Sequence, residues 1–177
     1  PFGFNRIVSI EHVDVRLLRL FGVRYVLALK QLDQPGLHEV FAEGDTRVYE
    51  IVDFVPRAYL AERYLERPQK QAIIDALFDP MFQPGKHAVV EMPIRVLQST
   101  PLHSSDSVHL VSYSPTLIEL SVNVFGIPRL LVVQNAYNSG WRAAIDGKTT
   151  MMYRANYAFQ GVVVPEGTHK VVFSYSL

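Results

Sequence analysis

Over residues 118–124 apolar and polar side chains strictly alternate, with Ile118, Leu120, Val122 and Val124 set against Glu119, Ser121 and Asn123. A period of two sorts these sets onto opposite faces of a pleated strand, and a helix cannot sort them that way. The same pattern continues to the C-terminus. Residues 129–134 form a near-continuous apolar run, which reads as a strand covered on both faces. Trp141, Ala143 and Ile145 alternate with Arg142, Ala144 and Asp146. Asp146-Gly147 is a tight-turn pair, because both central positions of such a turn need positive φ. Strands are predicted over 149–154 and 159–164, a turn at Pro165-Glu166-Gly167, and a last strand through His169, Val171, Phe173 and Tyr175. Short strands separated by regular turn signals predict an antiparallel β-sandwich for this part of the chain.

The first half is mixed. Val13, Leu17, Leu20 and Phe21 recur at helical spacing, with Ser9 as a candidate N-cap and Gly22 as a stop. A strand is predicted over 23–29. Residues 37–42 and 46–52 read as a hairpin around Glu43-Gly44-Asp45. Residues 57–65 read as one strand. Pro68 suits the first position of a short helix whose buried stripe is Ala72, Ile73, Ala76 and Leu77, ended by Asp79-Pro80. A polar, Ser-rich connector at 98–107 separates the halves. The expected fold is mainly β with some α: a mixed α/β segment over 1–100, then an antiparallel β-sandwich portion over 101–177.

Composition narrows the function classes. With 49% apolar and 19% charged residues, the 177-residue chain can bury a core and is not a disordered tail. Lys and Arg number 17 and Asp and Glu 17, so the net charge is zero. That argues against a dedicated nucleic-acid binder and a polybasic membrane-surface module. The chain has no cysteine, so disulfides, thiol nucleophiles, Cys-based zinc sites and iron–sulfur ligation are out. No apolar stretch approaches the roughly 20 residues of a spanning helix, and no basic, then apolar, leader is visible. The chain begins at Pro1, which reads as a piece cut from a longer protein.

Chemistry-bearing residues are few. The six histidines have no metal-ligand spacing, and no nucleophile elbow, P-loop or dinucleotide fingerprint is present. His103, Ser104, Ser105 and Asp106 are triad types, but adjacent residues cannot converge on one point. Glu62 and Glu66 interleave with Arg63 and Arg67, which reads as a solvated, self-neutralised stretch. Asp146 has no nameable carboxylate partner at glycosidase spacing. Trp141 reads as a core residue, with a sugar-stacking platform as the alternative. Arg154 and Asn156 read as structural, or as lining a polar site with Tyr153 and Tyr157. Phe2 and Phe4 read equally as an interfacial anchor or a frayed end. No catalytic set, cofactor or metal is expected.

Three runs carry a resemblance: 137–148 (YNSGWRAAIDGK), 153–162 (YRANYAFQGV) and 164–175 (VPEGTHKVVFSY). Their order and spacing resemble the C-terminal extracytoplasmic domain of the YfhO-type bacterial membrane proteins. There the pattern reads Y-x-x-G-W-x-A-x-[VI]-D-G-K, then R-A-N, then P-x-G-x-H-x-V-x-F-x-Y. Ser139 departs from it, standing where a Pro often precedes the Gly-Trp pair. The resemblance implies a polytopic parent similar to glycosyltransferases that use lipid-phosphate sugars, with the catalytic acid in the membrane part. It therefore implies a non-catalytic accessory domain outside the cytoplasmic membrane. The implied partners are the transmembrane portion of the parent chain and a glycan or lipid-linked sugar, and no nucleic acid. Contact candidates are Tyr137, Trp141, Arg142, Tyr153, Arg154, Asn156 and Tyr157. Two other readings stay open: a β-sandwich carbohydrate-binding module or glycan-acting domain, and a purely structural interaction domain.

Overall fold

The computed structural model describes residues 14–95 and 98–176. The chain divides into two compact units, Pro1–Phe54 and Val55–Leu177. In the first, helix α1 (Val15–Leu20) starts on Asp14, whose carboxylate accepts the N–H groups of Arg16 and Leu17. Those are two of the donors a helix start leaves without partners. Ser9 and Val13 lie outside the described residues, as do Phe2 and Phe4. Strands β1 (Tyr25–Ala28), β2 (Leu37–Glu43) and β3 (Thr46–Ile51) form an antiparallel sheet in the order β1-β3-β2. The expected hairpin is β2–β3: Glu43 faces Thr46 across a turn in which Gly44 has φ +55°. Tyr49 and Ile51 are buried on one face of this sheet, while Tyr25 and Leu27 of β1 are exposed on the other.

The second unit is β-rich, with one helix, α2 (Lys70–Phe78). Five strands make an antiparallel sheet in the order β11-β10-β14-β8-β7. These are β7 (Ser107–Tyr113), β8 (Leu117–Val124), β10 (Trp141–Ile145), β11 (Lys148–Thr150) and β14 (Gly167–Tyr175). A six-stranded sheet runs β4-β9-β13-β12-β6-β5. Its strands are β4 (Ala58–Ala61), β5 (Arg63–Glu66), β6 (His87–Val90), β9 (Arg129–Ala136), β12 (Tyr153–Ala155) and β13 (Phe159–Val164). All its pairings are antiparallel except β5–β6. A parallel pair needs a crossover, and α2 supplies it.

The strand predicted over 57–65 is in fact two. Ala58–Ala61 and Arg63–Glu66 lie at opposite edges of the six-stranded sheet with only Glu62 between them. Two edges joined by one residue force the sheet to curl toward closure as a half-barrel. Curling gives it two buried faces. Inside lie Tyr59, Ala61, Ala88, Val90, Leu130, Val132, Ala155 and Phe159. On the other face Leu60, Leu131, Val133, Val162 and Val164 share one core with Ile118, Leu120, Val122, Trp141, Val171 and Phe173 of the five-stranded sheet. Strand β9 contributes alternate residues to both cores, so residues 129–133 are all buried and the expectation of a two-face strand holds.

The strand predicted over 149–154 also splits. Met151 and Met152 carry the chain from β11 in one sheet to β12 in the other. Strands β6 and β7 were not predicted. The helix starts later than expected: its N-cap is Gln69, so Pro68 precedes the cap and does not occupy the first helical position. Its stripe is as read, with Ile73, Ala76 and Leu77 buried and Ala72 half-buried. Asp79 ends it at ψ 130°, the extended state that Pro80 imposes on its predecessor.

Candidate functional site

The three C-terminal runs meet around the β10–β11 turn. Asp146 (φ +50°) and Gly147 (φ +79°) form that turn, with Ile145 facing Lys148. Asp146 then reaches back to β14. Its Oδ1 accepts the Lys170 N–H at 2.9 Å, and its Oδ2 lies 2.7 Å from His169 Nδ1. The other ring nitrogen, Nε2, faces the Glu166 carbonyl at 3.1 Å. Both nitrogens face acceptors, an arrangement that only the imidazolium satisfies. The hydrogen bond that His169 donates to Asp146 accordingly raises the His169 pKa, and the same bond, with that from the Lys170 N–H, lowers Asp146.

This pair sets a pH window. A raised folded-state pKa makes the His169 contribution complete below its unfolded value, near 6.5, and lost as pH climbs through the folded value. A lowered pKa makes the Asp146 contribution present above about 4 and lost as pH falls through the folded value. The expected result is that the denaturation midpoint of the parent chain, relative to His169→Gln, is highest between those limits and shrinks from pH 6 to pH 9. A difference independent of pH over that range contradicts the assignment.

Trp141 lies in the shared core, 6% exposed, its ring centroid 5.5 Å from that of Tyr175. Gly140 is required beside it: a Cβ there would overlap the Tyr175 ring, with Cζ at 2.8 Å. The turn that departs from the family pattern at Ser139 is held by side chains. Asn138 Oδ1 accepts the Gly140 N–H at 2.9 Å, and the exposed Arg142 donates to the carbonyls of Ser139 and Trp141.

The remaining candidates surround the β12–β13 turn. Arg154 stacks its guanidinium 4.9 Å from the centre of the Tyr137 ring and lies 3.6 Å from the Glu91 carboxylate. The Tyr137 N–H donates to the carbonyl of Ala158, so Tyr137 borders the turn. Tyr157 stands in the turn at φ +71° and is 42% exposed. Tyr153 is half-buried opposite Gly161. Asn156 is buried at φ +48°: its Oδ1 accepts the Val89 N–H and its Nδ2 donates to Tyr59 Oη, each at 2.8 Å. The Tyr59 hydroxyl donates onward to the His87 carbonyl, and burial pushes its pKa far up. The structure thus gathers Tyr137, Arg154 and Tyr157 on one rim and directs Trp141 and Asn156 inward.

Residues 95–176 match the family model described as bacterial membrane protein YfhO. That C-terminal segment is similar to the YfhO family. Comparison with curated proteins and with solved structures returns no match. In the YfhO-like segment the motif positions seen above have structural work: the Asp-Gly turn, the His that bonds to it, and the Gly that admits a Tyr beside the Trp. Among the described residues no helix is long and apolar enough to cross a membrane, and no three His, Asp or Glu residues gather as a metal site.

Two groupings escaped the sequence reading. One is an ion pair at the start of the YfhO-like segment: Arg129 Nε lies 3.4 Å from Asp106 Oδ2, and both side chains are almost wholly buried. The other concerns Arg63 and Arg67. Period two puts Arg63 and Leu65 of β5 on one face, and Arg67 follows just past the end of that strand. The available signal was the period of two from Arg63 through Leu65 to Arg67, running on from the strand predicted over 57–65.

Proposed function

We propose that the chain is a non-catalytic, extracytoplasmic domain of a YfhO-type multi-pass membrane protein, accessory to cell-envelope glycan transfer. The match of residues 95–176 to the YfhO family carries this reading. The shared core between the two sheets supports a β-sandwich as its frame. The contact surface is the rim of Tyr137, Arg154 and Tyr157, facing the transmembrane portion of the parent or a lipid-linked sugar; Tyr153 packs against the inner core of the six-stranded sheet, and the exposed Arg142 is on β10 of the other sheet. Aromatic faces beside a guanidinium suit the C–H and hydroxyl faces of a saccharide.

Alkaline phosphatase, active only outside the cytoplasm, is fused to the parent protein in cells after the position that is Ser176 of this chain. Activity there, with a dark green-fluorescent-protein fusion at the same point, is the expected result. The reverse pattern removes the extracytoplasmic reading. A carbohydrate-binding module is favoured by one observation, the exposed Tyr157 held in a left-handed turn beside Arg154 and Tyr137. Titration of the chain with envelope oligosaccharides separates the two. Saturable shifts confined to Tyr137, Arg154 and Tyr157 make the domain a glycan binder; their absence leaves the parent's membrane portion as the partner.

A further inference from the structure

A cavity of about 400 Å³ lies between α2 and the parallel pair β5–β6, within the usual range of small-molecule sites. Its strand wall carries Arg63, Arg67 and His87, and its helix wall carries Asp75 and Asp79 with the small Ala72 and Ala76 between. Arg63 and His87 are register partners in the parallel ladder, so their side chains rise from the same place. Both also border a second hollow of about 370 Å³ against Ser99 and Thr100.

The strand wall presents uncommitted donors. Among the described residues the Arg63 guanidinium makes no hydrogen bond and no ion pair, and that of Arg67 gives one bond, to the Glu66 carbonyl at 2.8 Å. His87 Nδ1 accepts the Gln83 N–H at 3.1 Å. In the neutral ring the proton is therefore on Nε2. Burial and the neighbouring Arg63 hold the His87 pKa down, which keeps that tautomer at neutral pH. On the opposite wall Asp75 accepts one bond from Gln71, and Asp79 accepts the Met81 N–H. Neither arginine bridges the gap to Asp75, so the two walls face each other with space for a guest.

We propose that this cleft binds a phosphate ester that also carries hydroxyl groups. Two guanidinium forks and an imidazole N–H match the three terminal oxygens of a phosphate better than the two of a carboxylate. The carboxylates across the cleft accept from the hydroxyls. A free sugar phosphate and a phosphoinositide headgroup, whose ring phosphate is a monoester, both present this chemistry. The site is separate from the Tyr137–Arg154 rim and does not depend on the function proposed for it.

The test follows the side-chain NMR signals of Arg63, Arg67 and His87 in the 177-residue chain during titration with glucose 1-phosphate, inorganic phosphate and glucose. Phosphatidylcholine vesicles with and without phosphatidylinositol 4-phosphate form a second arm. Saturable shifts with glucose 1-phosphate, or sedimentation with the phosphatidylinositol 4-phosphate vesicles alone, are expected and identify the source. Arg63→Gln weakens binding by about tenfold or more, the size of one charge-assisted hydrogen bond. Asp75→Asn weakens glucose 1-phosphate but not inorganic phosphate, and Lys148→Gln, at the exposed β10–β11 turn, changes neither. These side chains are exposed or half-buried, so an unchanged thermal midpoint shows that the variants are folded. No saturable response in either arm, or binding that survives the Arg63→Gln/Arg67→Gln double variant, overturns the proposal. Equal affinity for inorganic phosphate and glucose 1-phosphate overturns its hydroxyl half.

Discussion

Asp106→Ala is expected to cost about 3–5 kcal/mol of stability, the range for removing one partner of a buried ion pair. The Asp106 side chain is 0% exposed and that of Arg129 4%. The carboxylate does three things at once. It neutralises Arg129, accepts the Phe125 N–H at 2.7 Å through Oδ1, and accepts the His103 N–H at 2.9 Å through Oδ2. Arg129 in turn donates to the Thr100 carbonyl and hydroxyl and to the Pro101 carbonyl. The polar connector is thus tied down at both ends by one residue of β9 and one of its own. Alanine leaves a guanidinium buried without its counter-charge and two N–H groups without acceptors.

For a unit of this size the thermal midpoint falls by roughly 10 °C or more. Asp106→Asn keeps one acceptor and loses the charge, so its loss is intermediate. The pair itself is not a large net source of stability, because desolvating both charges offsets their attraction. Asp106→Leu combined with Arg129→Met therefore recovers much of what Asp106→Ala loses. Urea titration of the three variants checks this. A loss below about 1 kcal/mol for Asp106→Ala means that water reaches Arg129 and the pair is not a buried one.

The difference between what the sequence revealed and what it hid follows from the range of the interactions. The β9 run was legible because burial on both faces removes polar residues from both parities, a local signature. Asp146-Gly147 was legible because few dipeptides tolerate two positive φ values in succession. The break at Glu62 was not legible, since Tyr59, Leu60, Tyr64 and Leu65 on its two sides read as one continuous strand. What divides them is closure of the sheet, through pairing of β4 with β9 and β5 with β6, which no local pattern encodes. The same holds at Met151-Met152, where the chain changes sheets without a glycine or proline to announce it. At the candidate site, the capping habit of asparagine pointed correctly to a backbone partner for Asn156. Its partner Val89 belongs to a strand the sequence reading missed. Arg63 and Arg67 were read as part of a solvated, self-neutralised stretch because acids interleave with them. The strand spacing that places both in one cleft needs the β5–β6 pairing to be known.

Asn156 is the other position where one substitution is expected to have a large effect. Asn156→Ala is expected to cost about 3–4 kcal/mol. It leaves the buried Val89 N–H unsatisfied and removes the donor to Tyr59 Oη, at about 1–3 kcal/mol for an orphaned buried group. It also puts a Cβ without a local hydrogen bond at φ +48°, at a further 1–2 kcal/mol. Asn156→Gly loses the same bonds but not the backbone strain; the greater freedom of glycine in the unfolded chain returns part of that gain. Its loss is therefore smaller than that of alanine by roughly 0.5–1 kcal/mol. Asn156→Asp separates the side-chain bonds from the backbone. The introduced carboxylate still accepts from Val89 and tolerates the left-handed turn, but it is buried and offers Tyr59 no proton when ionised. Burial raises its folded-state pKa above the unfolded value near 3.9, so the folded state binds the extra proton. By linkage, Asn156→Asp regains stability relative to the parent chain as pH falls from 7 toward 5, where the protonated carboxyl donates to Tyr59 Oη as the amide does. Denaturation midpoints of the four chains at pH 7 and pH 5 test this. If Asn156→Gly is the least stable of the three variants at both pH values, the left-handed backbone is not a source of strain here.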